Sequence, residues 1–461
     1  MVSVKLDLVL LFNIFYVYEC SRRITGGEVV TTEKRYVVYL LKAPLSNKIY
    51  DSWVCGGALV STLFIVTSAA CVDDVEFLYA IAGYKNYVPD TEIENNECTK
   101  AKKKKVIYTC IPMRYDLKYD KIEKWSFIDI ALVKVESPYD FSDESYKEVC
   151  SYIPAAIPIN YETRFQNPGT DGLVFGWGHT EIWRKPGDTR NYNQEVLRYA
   201  PVKILDKQKC KTSYASIANM NDVIDQFMIC SEERGEMDEN GNVDMNGPNQ
   251  APKMDGCGGR QLSADVLTID EILCEENRLS LRSNQSSSFS SNKNGTVFNQ
   301  TRRAGAGICQ NDHGGPLITW VGANEVLIGV ASVFQVDDDS NCMGPFLYTS
   351  TQCNGAFLDC ILAGSSSTGL NGGRSICDLP PIQRGYDTFE RFISWINHPA
   401  GAAENEFDYG NSTEAETETR PTPQYQSEAF KQFVKMKMKK KSQNNTISTR
   451  PQRPLYSRLN V

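Results

Sequence analysis

Chemistry at neutral pH needs groups that move a proton, attack a carbonyl or hold a metal, and this chain is short of them. It has only three histidines in 461 residues, His179, His313 and His398, widely separated. His313 lies in the run Cys309-Gln310-Asn311-Asp312-His313-Gly314-Gly315-Pro316-Leu317, and a carboxylate, Asp129, opens Asp129-Ile130-Ala131-Leu132. An imidazole with a carboxylate suggests an acid/base pair or part of a metal site, but two ligands do not make a catalytic zinc site. Fifteen cysteines with no C-x-x-C spacing favour disulfides over zinc. The acidic stretch Asp238 to Asp244 misses the spacing of a calcium-binding EF-hand loop. No metal and no cofactor is expected.

The elements that must position these groups carry further motifs, in a fixed order. Arg23-Ile24-Thr25-Gly26-Gly27 is followed by Trp53-Val54-Cys55-Gly56-Gly57-Ala58-Leu59 and then by Val66-Thr67-Ser68-Ala69-Ala70-Cys71. After Asp129 come Gly176-Trp177-Gly178, the His313 run, Pro345-Phe346-Leu347-Tyr348-Thr349 and Phe392-Ile393-Ser394-Trp395-Ile396. Together they resemble the trypsin/chymotrypsin-like serine proteases. In that family the matching motifs read R-I-V-G-G, T-A-A-H-C, G-W-G, G-D-S-G-G-P and P-G-V-Y-T. The resemblance spans residues 24 to 398, apart from two insertions. It implies an all-β fold of two antiparallel β-barrels with the site in the cleft between them.

The resemblance also implies that the chemistry has been removed. Ala70 stands at the position of the general-base histidine, His313 at that of the nucleophilic serine, and only Asp129 is retained. A methyl group accepts no proton, and an imidazole is not a hydroxyl nucleophile. In subtilisin, a different serine protease, loss of the serine or the histidine lowers kcat about 10⁶-fold. The implied protein is therefore not an enzyme. It is a non-catalytic homologue that binds other proteins as a decoy, cofactor or regulator of a proteolytic pathway. Two alternatives stay open: an endopeptidase-like enzyme with altered or residual activity, and a structural secreted glycoprotein.

Other positions carried over from the family are altered too. The oxyanion-hole positions fall at Asn311 and His313, with Asn311 in place of a glycine where positive φ is needed. Gly307 falls at the floor of the primary pocket. Phe334 and Phe346 fall where the family has glycines, so their rings either block that pocket or pack the core. Cleavage at Arg23 would free the amine of Ile24 to pair with Asp312. Disulfides Cys55–Cys71, Cys210–Cys230 and Cys309–Cys342 carry over by position, and Cys20, if retained, would pair with Cys150. Ser332 is placed beside Asp129. His313 either turns into the space left by the missing imidazole and donates to Asp129, directly or through one water, or points to solvent while a water fills the gap.

Short apolar runs such as Tyr36 to Leu41, Leu78 to Ala82 and Val326 to Val330 alternate with Gly, Pro and Asn, as in many-stranded all-β folds. Tyr386, Phe389, Phe392, Ile393 and Ile396 recur at helical spacing and predict a C-terminal helix. The first barrel is placed at about 24–148 and the second at about 149–398. The second is interrupted at about 232–306, which is predicted to be largely mobile, and at about 350–383, a lobe stapled by Cys353, Cys360 or Cys377. A polar tail runs over 399–461.

Residues 1–20 read as a secretory signal: Lys5 precedes an apolar run, Leu8 to Tyr18, that is shorter than the roughly 20 residues a spanning helix needs. The chain is thus expected to be secreted and extracellular, with no membrane span. A net charge of -8 argues against general nucleic-acid affinity. Asn284, Asn294, Asn299, Asn411 and Asn444 are glycosylation acceptors, and Arg302-Arg303 is a candidate processing site. The expected partners are secreted proteins, including proteases or their substrates, and an anionic glycan at Lys102–Lys105 or Lys431–Lys441.

Overall fold

The computed structural model describes residues 27–44, 46, 54–118, 121–180, 182–184, 188, 190–243, 306–363, 377 and 379–401. The signal segment, Cys20, Arg23, Ile24, the five acceptor asparagines, Arg302-Arg303 and Lys431–Lys441 lie outside them. Among the described residues no helix is long and apolar enough to cross a membrane.

The first strand, β1, is Glu28–Val29. The next six are β2 (Val37–Lys42), β3 (Val54–Leu59), β4 (Phe64–Thr67), β5 (Leu78–Ala82), β6 (Lys104–Pro112) and β7 (Ala131–Val135). They pair antiparallel in the order β6-β5-β2-β3-β4-β7, and pairing of β6 with β7 closes a barrel. The second barrel uses β8 (Asp171–Gly176), β9 (Arg198–Ile204), β10 (Met228–Arg234), β11 (Pro316–Val321), β12 (Asn324–Val336) and β13 (Cys342–Ser350). Its order is β9-β10-β13-β12-β11-β8, closed by β8 with β9. Val, Ile, Leu and aromatic residues in these runs point into the two cores and at the contact between them, which is why nearly every residue of β2, β3 and β5 is buried. The sequence-derived strands over Tyr36–Leu41, Leu78–Ala82 and Val326–Val330 are β2, β5 and part of β12.

The ends of the chain cross over. β1 pairs with β9 of the second barrel, and a last strand, β14 (Thr388–Phe392), pairs with β6 of the first. This corrects two expectations. The barrel boundaries at 148 and 398 are not clean, and residues 388–392 form a strand rather than part of a helix. The helical spacing of aromatic residues was outweighed by the open edge of β6. Each residue from Thr388 to Phe392 is in register with one from Pro112 back to Tyr108. Trp395 is then buried, donating its indole N–H to the Val106 carbonyl at 2.9 Å.

The start of the first insertion also departs from expectation. Glu232 to Arg234 belong to β10, and Glu239 is buried. A polar turn is ordered here because its carboxylate is fully engaged. Glu239 Oε2 accepts the backbone N–H groups of Thr31 (2.8 Å) and Thr32 (3.2 Å), and both threonine hydroxyls donate to the same carboxylate. In the second insertion the helix Gly355–Ala363 buries Phe357 and Leu358, and Cys360 bonds Cys377.

The three disulfides carried over by position are formed. Cys150 bonds Cys98, not Cys20, and Cys110 is a buried free thiol. Lys102–Lys105 thus lies between a bonded and a free cysteine and is not enclosed by a disulfide of Cys98 with Cys110. It runs from a short helix into β6, and its half-buried lysines are engaged by neighbouring protein groups. Lys102 pairs with Asp143 at 2.6 Å and Lys103 with Glu94 at 2.9 Å. Lys104 donates to the Ser137 hydroxyl, and Lys105 to the carbonyls of Ala400 and Gly401.

Candidate functional site

β4 ends at Thr67, and the chain turns at once through Ala69–Cys71. Ser68 caps that turn: its hydroxyl accepts the Ala70 N–H at 3.2 Å. The turn sets Ala70 beside Asp129, which precedes β7, the partner of β4. On the other side, the His313 turn docks against β3, where the Gly56 N–H donates to the His313 carbonyl at 2.7 Å. A Cβ on Gly56 would lie 2.5 Å from the Gly315 Cα, so only glycine lets the two chains approach this closely.

Asp129 is fully buried, and protein groups fill its oxygens. Ser68 Oγ donates to Oδ1 at 2.6 Å, the Ala70 N–H to Oδ1 at 2.9 Å, and Ser332 Oγ to Oδ2 at 2.6 Å. Burial pushes the Asp129 carboxyl up, and the hydrogen bonds from Ser332, Ser68 and the 69–70 backbone only partly offset it. Ser332 stands where the resemblance placed it. Ser68 was missed, although its signal was in view: Thr67-Ser68-Ala69-Ala70-Cys71 has serine where the family pattern has its first alanine. That hydroxyl supplies a donor to Asp129 at a site where the imidazole N–H is missing.

His313 does not take the solvent-facing course, and its direct bond to Asp129 is not made. No hydrogen bond joins it to Asp129 among the described residues, and it is not turned to solvent, being 8% exposed. Its ring lies in an aromatic slot, 5.7 Å from the Trp125 ring and 5.9 Å from the Phe334 ring, centroid to centroid. Burial pulls its pKa down to about 4, against a smaller opposing effect of a hydrogen bond with the Ser332 backbone, so the ring is neutral at pH 7. With Asp129 already saturated, an aromatic slot is the better environment for a neutral imidazole. Trp125 was not foreseen, because it comes from the segment before Asp129, which carries none of the motifs.

Asn311 adopts φ +73°, a conformation that asparagine tolerates better than most residues. Its amide donates to Asn193 Oδ1 at 2.7 Å and lies 3.3 Å from His179 Nε2, tying the turn to the segment after Gly178. Asp312 is buried. Its Oδ1 accepts the Gly178 N–H at 2.8 Å, and its Oδ2 the Cys309 N–H at 3.0 Å. A Cβ on Gly176 or Gly178 would fall 2.1 or 2.5 Å from Oδ1, which explains both glycines of Gly176-Trp177-Gly178. Burial pushes the Asp312 carboxyl up to about 7, and the two N–H donors only partly counter it. Ile24 lies outside the described residues.

Phe346 is buried in the second barrel with Ile229, Ala306, Ile308 and Tyr348. Its ring covers Gly307, where a Cβ would lie 2.2 Å from Cδ2. Phe334 is partly buried between this cluster and the Cys309–Cys342 disulfide. Among the described residues no group of three or more His, Cys, Asp and Glu is placed to hold a metal ion.

Comparison with known proteins places this geometry. The trypsin family model matches residues 24–242. Venom serine protease 34 of Apis mellifera is 26% identical over 199 residues, 42% of this chain and 42% of that protein. CLIP domain-containing serine protease B8 of Anopheles gambiae is 26% identical over 210 residues, 42% of this chain and 47% of that protein. The chain thus spans under half the length of these relatives. A solved structure of a scabies mite inactivated protease paralogue aligns with 74% of this chain and 98% of its own at 16% identity, with a TM-score of 0.41, too low to carry an argument. The match over residues 24–242 and the two closed six-stranded antiparallel barrels make this chain similar to the trypsin-like serine proteases in fold and in that segment.

Proposed function

We propose that this chain is a secreted, non-catalytic serine protease homologue that acts by binding other secreted proteins, as a decoy, cofactor or regulator of proteolysis. The observation that carries this reading is the state of Asp129. Ser68, Ser332 and the Ala70 N–H take up the carboxylate, beside a methyl where a base would stand. The residue at the nucleophile position is a neutral imidazole held between Trp125 and Phe334. The ring of Phe346 against Gly307 also leaves the primary pocket without room for a substrate side chain. Such a scaffold keeps surface loops for recognition and lacks a group to activate a nucleophile. Secretion is supported by the leader-like first residues and by disulfides in both barrels.

The engagement of Lys102 by Asp143 and of Lys103 by Glu94 counts against that run as the anionic-glycan site. The test is incubation of the purified secreted chain, intact and cleaved after Arg23, with a fluorophosphonate and a fluorogenic peptide library. No labelling and no turnover above buffer are expected. Turnover that follows the protein through purification and disappears in Asp129→Ala would overturn the proposal.

A further inference from the structure

Away from the cleft, four separated segments line an open cavity of about 650 Å³, within the size range of small-molecule sites. Its walls include Thr32, Lys34, Asn160, Trp320, Asn324 and Glu325, with Asn240 contributed by the first insertion. The walls are held in place. The segment 156–160, which precedes β8, is tied to the β11–β12 hairpin, with the Asn160 N–H donating to the Leu327 carbonyl and the Leu327 N–H to the Pro158 carbonyl. The insertion turn is pinned by Glu239 on Thr31 and Thr32, and Lys34 donates to the Glu239 carbonyl at 2.5 Å. This anchoring lays Gly241 against the Trp320 indole, where a Cβ would meet Cε2 at 2.5 Å, and leaves Asn240 and Trp320 lining the same cavity.

We infer that this cavity binds a neutral saccharide. Charge sets the class. Lys34 is 4% exposed and already satisfied by Glu325 at 2.5 Å and by the Glu239 carbonyl, so it cannot serve as an anion anchor. Glu325 is neutralised by Lys34, and Glu33, the remaining charge, is exposed to water at the rim, where it repels anions and is screened as a partner for cations. Three amides, each with donors and an acceptor, line it as well: Asn160, Asn240 and Asn324. Asn160 Oδ1 is engaged with the Glu162 N–H, so that side chain offers its N–H₂. Planar amides and a carboxylate matched to neighbouring hydroxyls, beside a partly buried indole that can face the C–H side of a sugar ring, suit a hydroxyl-rich, uncharged ligand.

The experiment uses the full chain with N-acetylglucosamine, glucose and mannose in saturation-transfer NMR and calorimetry. Glucosamine and glucuronate serve as rings of opposite charge. Saturation transfer to at least one neutral sugar, and weaker transfer to the charged rings, is expected. Trp320→Ala and Asn324→Ala should each weaken binding by about tenfold or more. Asn324 is exposed at the hairpin, so its variant should keep the wild-type thermal midpoint and carry the test if Trp320→Ala fails to fold. Absence of transfer to every neutral sugar, affinity that both variants retain, or preference for glucosamine or glucuronate would each overturn the inference.

Discussion

Two carboxylates, Asp129 in the cleft and Glu239 in the first insertion, are both held by hydroxyls and backbone N–H groups rather than by a cation. Asp129 takes two serine hydroxyls and one N–H; Glu239 takes two threonine hydroxyls and two N–H groups. Their acidities nonetheless shift in opposite directions. For Asp129 burial prevails and the carboxyl is pushed up. For Glu239 burial pushes the same way, but the bonds from Thr31 and Thr32 together outweigh it, and the carboxyl sits below its usual range. The number of donors is similar, so the extent of dehydration decides the sign. The cleft holds a group that is costly to leave unsatisfied, whereas the insertion holds an anchor that water can partly replace.

The largest expected effect tests the cleft side of that contrast. Asp129→Ala leaves the Ser68 and Ser332 hydroxyls and the Ala70 N–H without an acceptor inside the protein, and should cost about 3–5 kcal/mol in chemical denaturation. A loss below about 1 kcal/mol would show that water reaches the site and would erase the distinction.

The next effect lies in the pH profile, where neighbouring residues 312 and 313 act in opposite senses. Folded Asp312 keeps its proton up to about pH 7, while an unfolded carboxyl releases it near pH ~4. Its contribution to stability is complete below about pH 4 and lost as pH rises to about 7. His313 titrates near 4 when folded and near 6.5 when unfolded, so its contribution is present above about pH 6.5 and lost as pH falls to about 4. Relative to wild type, Asp312→Asn should gain stability as pH rises from about 4 to 7. His313→Phe should gain it as pH falls from about 6.5 to 4. Each slope should approach about 1.4 kcal/mol per pH unit. Parallel profiles for wild type and both variants would contradict the assigned burial.

On the insertion side, Glu239→Ala should cost about 1–2 kcal/mol and speed proteolysis in the 236–242 turn, because both threonines can turn to water. A loss equal to that of Asp129→Ala would break the comparison from the other end. The smallest effect belongs to Lys103→Ala. Its partner Glu94 is 63% exposed, so stability should change by no more than about 0.5 kcal/mol, and retention on a heparin column should not change.

Much of this molecule was legible in its residues. The barrel strands announced themselves through apolar runs, and the altered site positions through motif order, because glycines such as Gly56, Gly176 and Gly178 mark places where a neighbour comes too close for a side chain. What was not legible depended on partners distant in sequence. The aromatic spacing near Phe392 carried no sign of the open β6 edge. Glu239 lay in a run whose composition suggested mobility, and only its meeting with Thr31 and Thr32 orders it. His313 was judged against Asp129 alone, although the slot between Trp125 and Phe334 decides where the ring goes.

The crossed ends of the chain bear on synthesis. Arg391 in β14 reaches back to the loop behind Ala70, donating to the Val72 and Val75 carbonyls at 2.6 and 2.7 Å. These groups meet across 316 or more residues of chain. As the polypeptide emerges N-terminus first, the amino-terminal half must wait, its cleft wall unbraced, until nearly four hundred residues have been made. A ribosome stalled within the second half would thus present a first barrel lacking its final brace, and that interval is when a chaperone would find it most exposed.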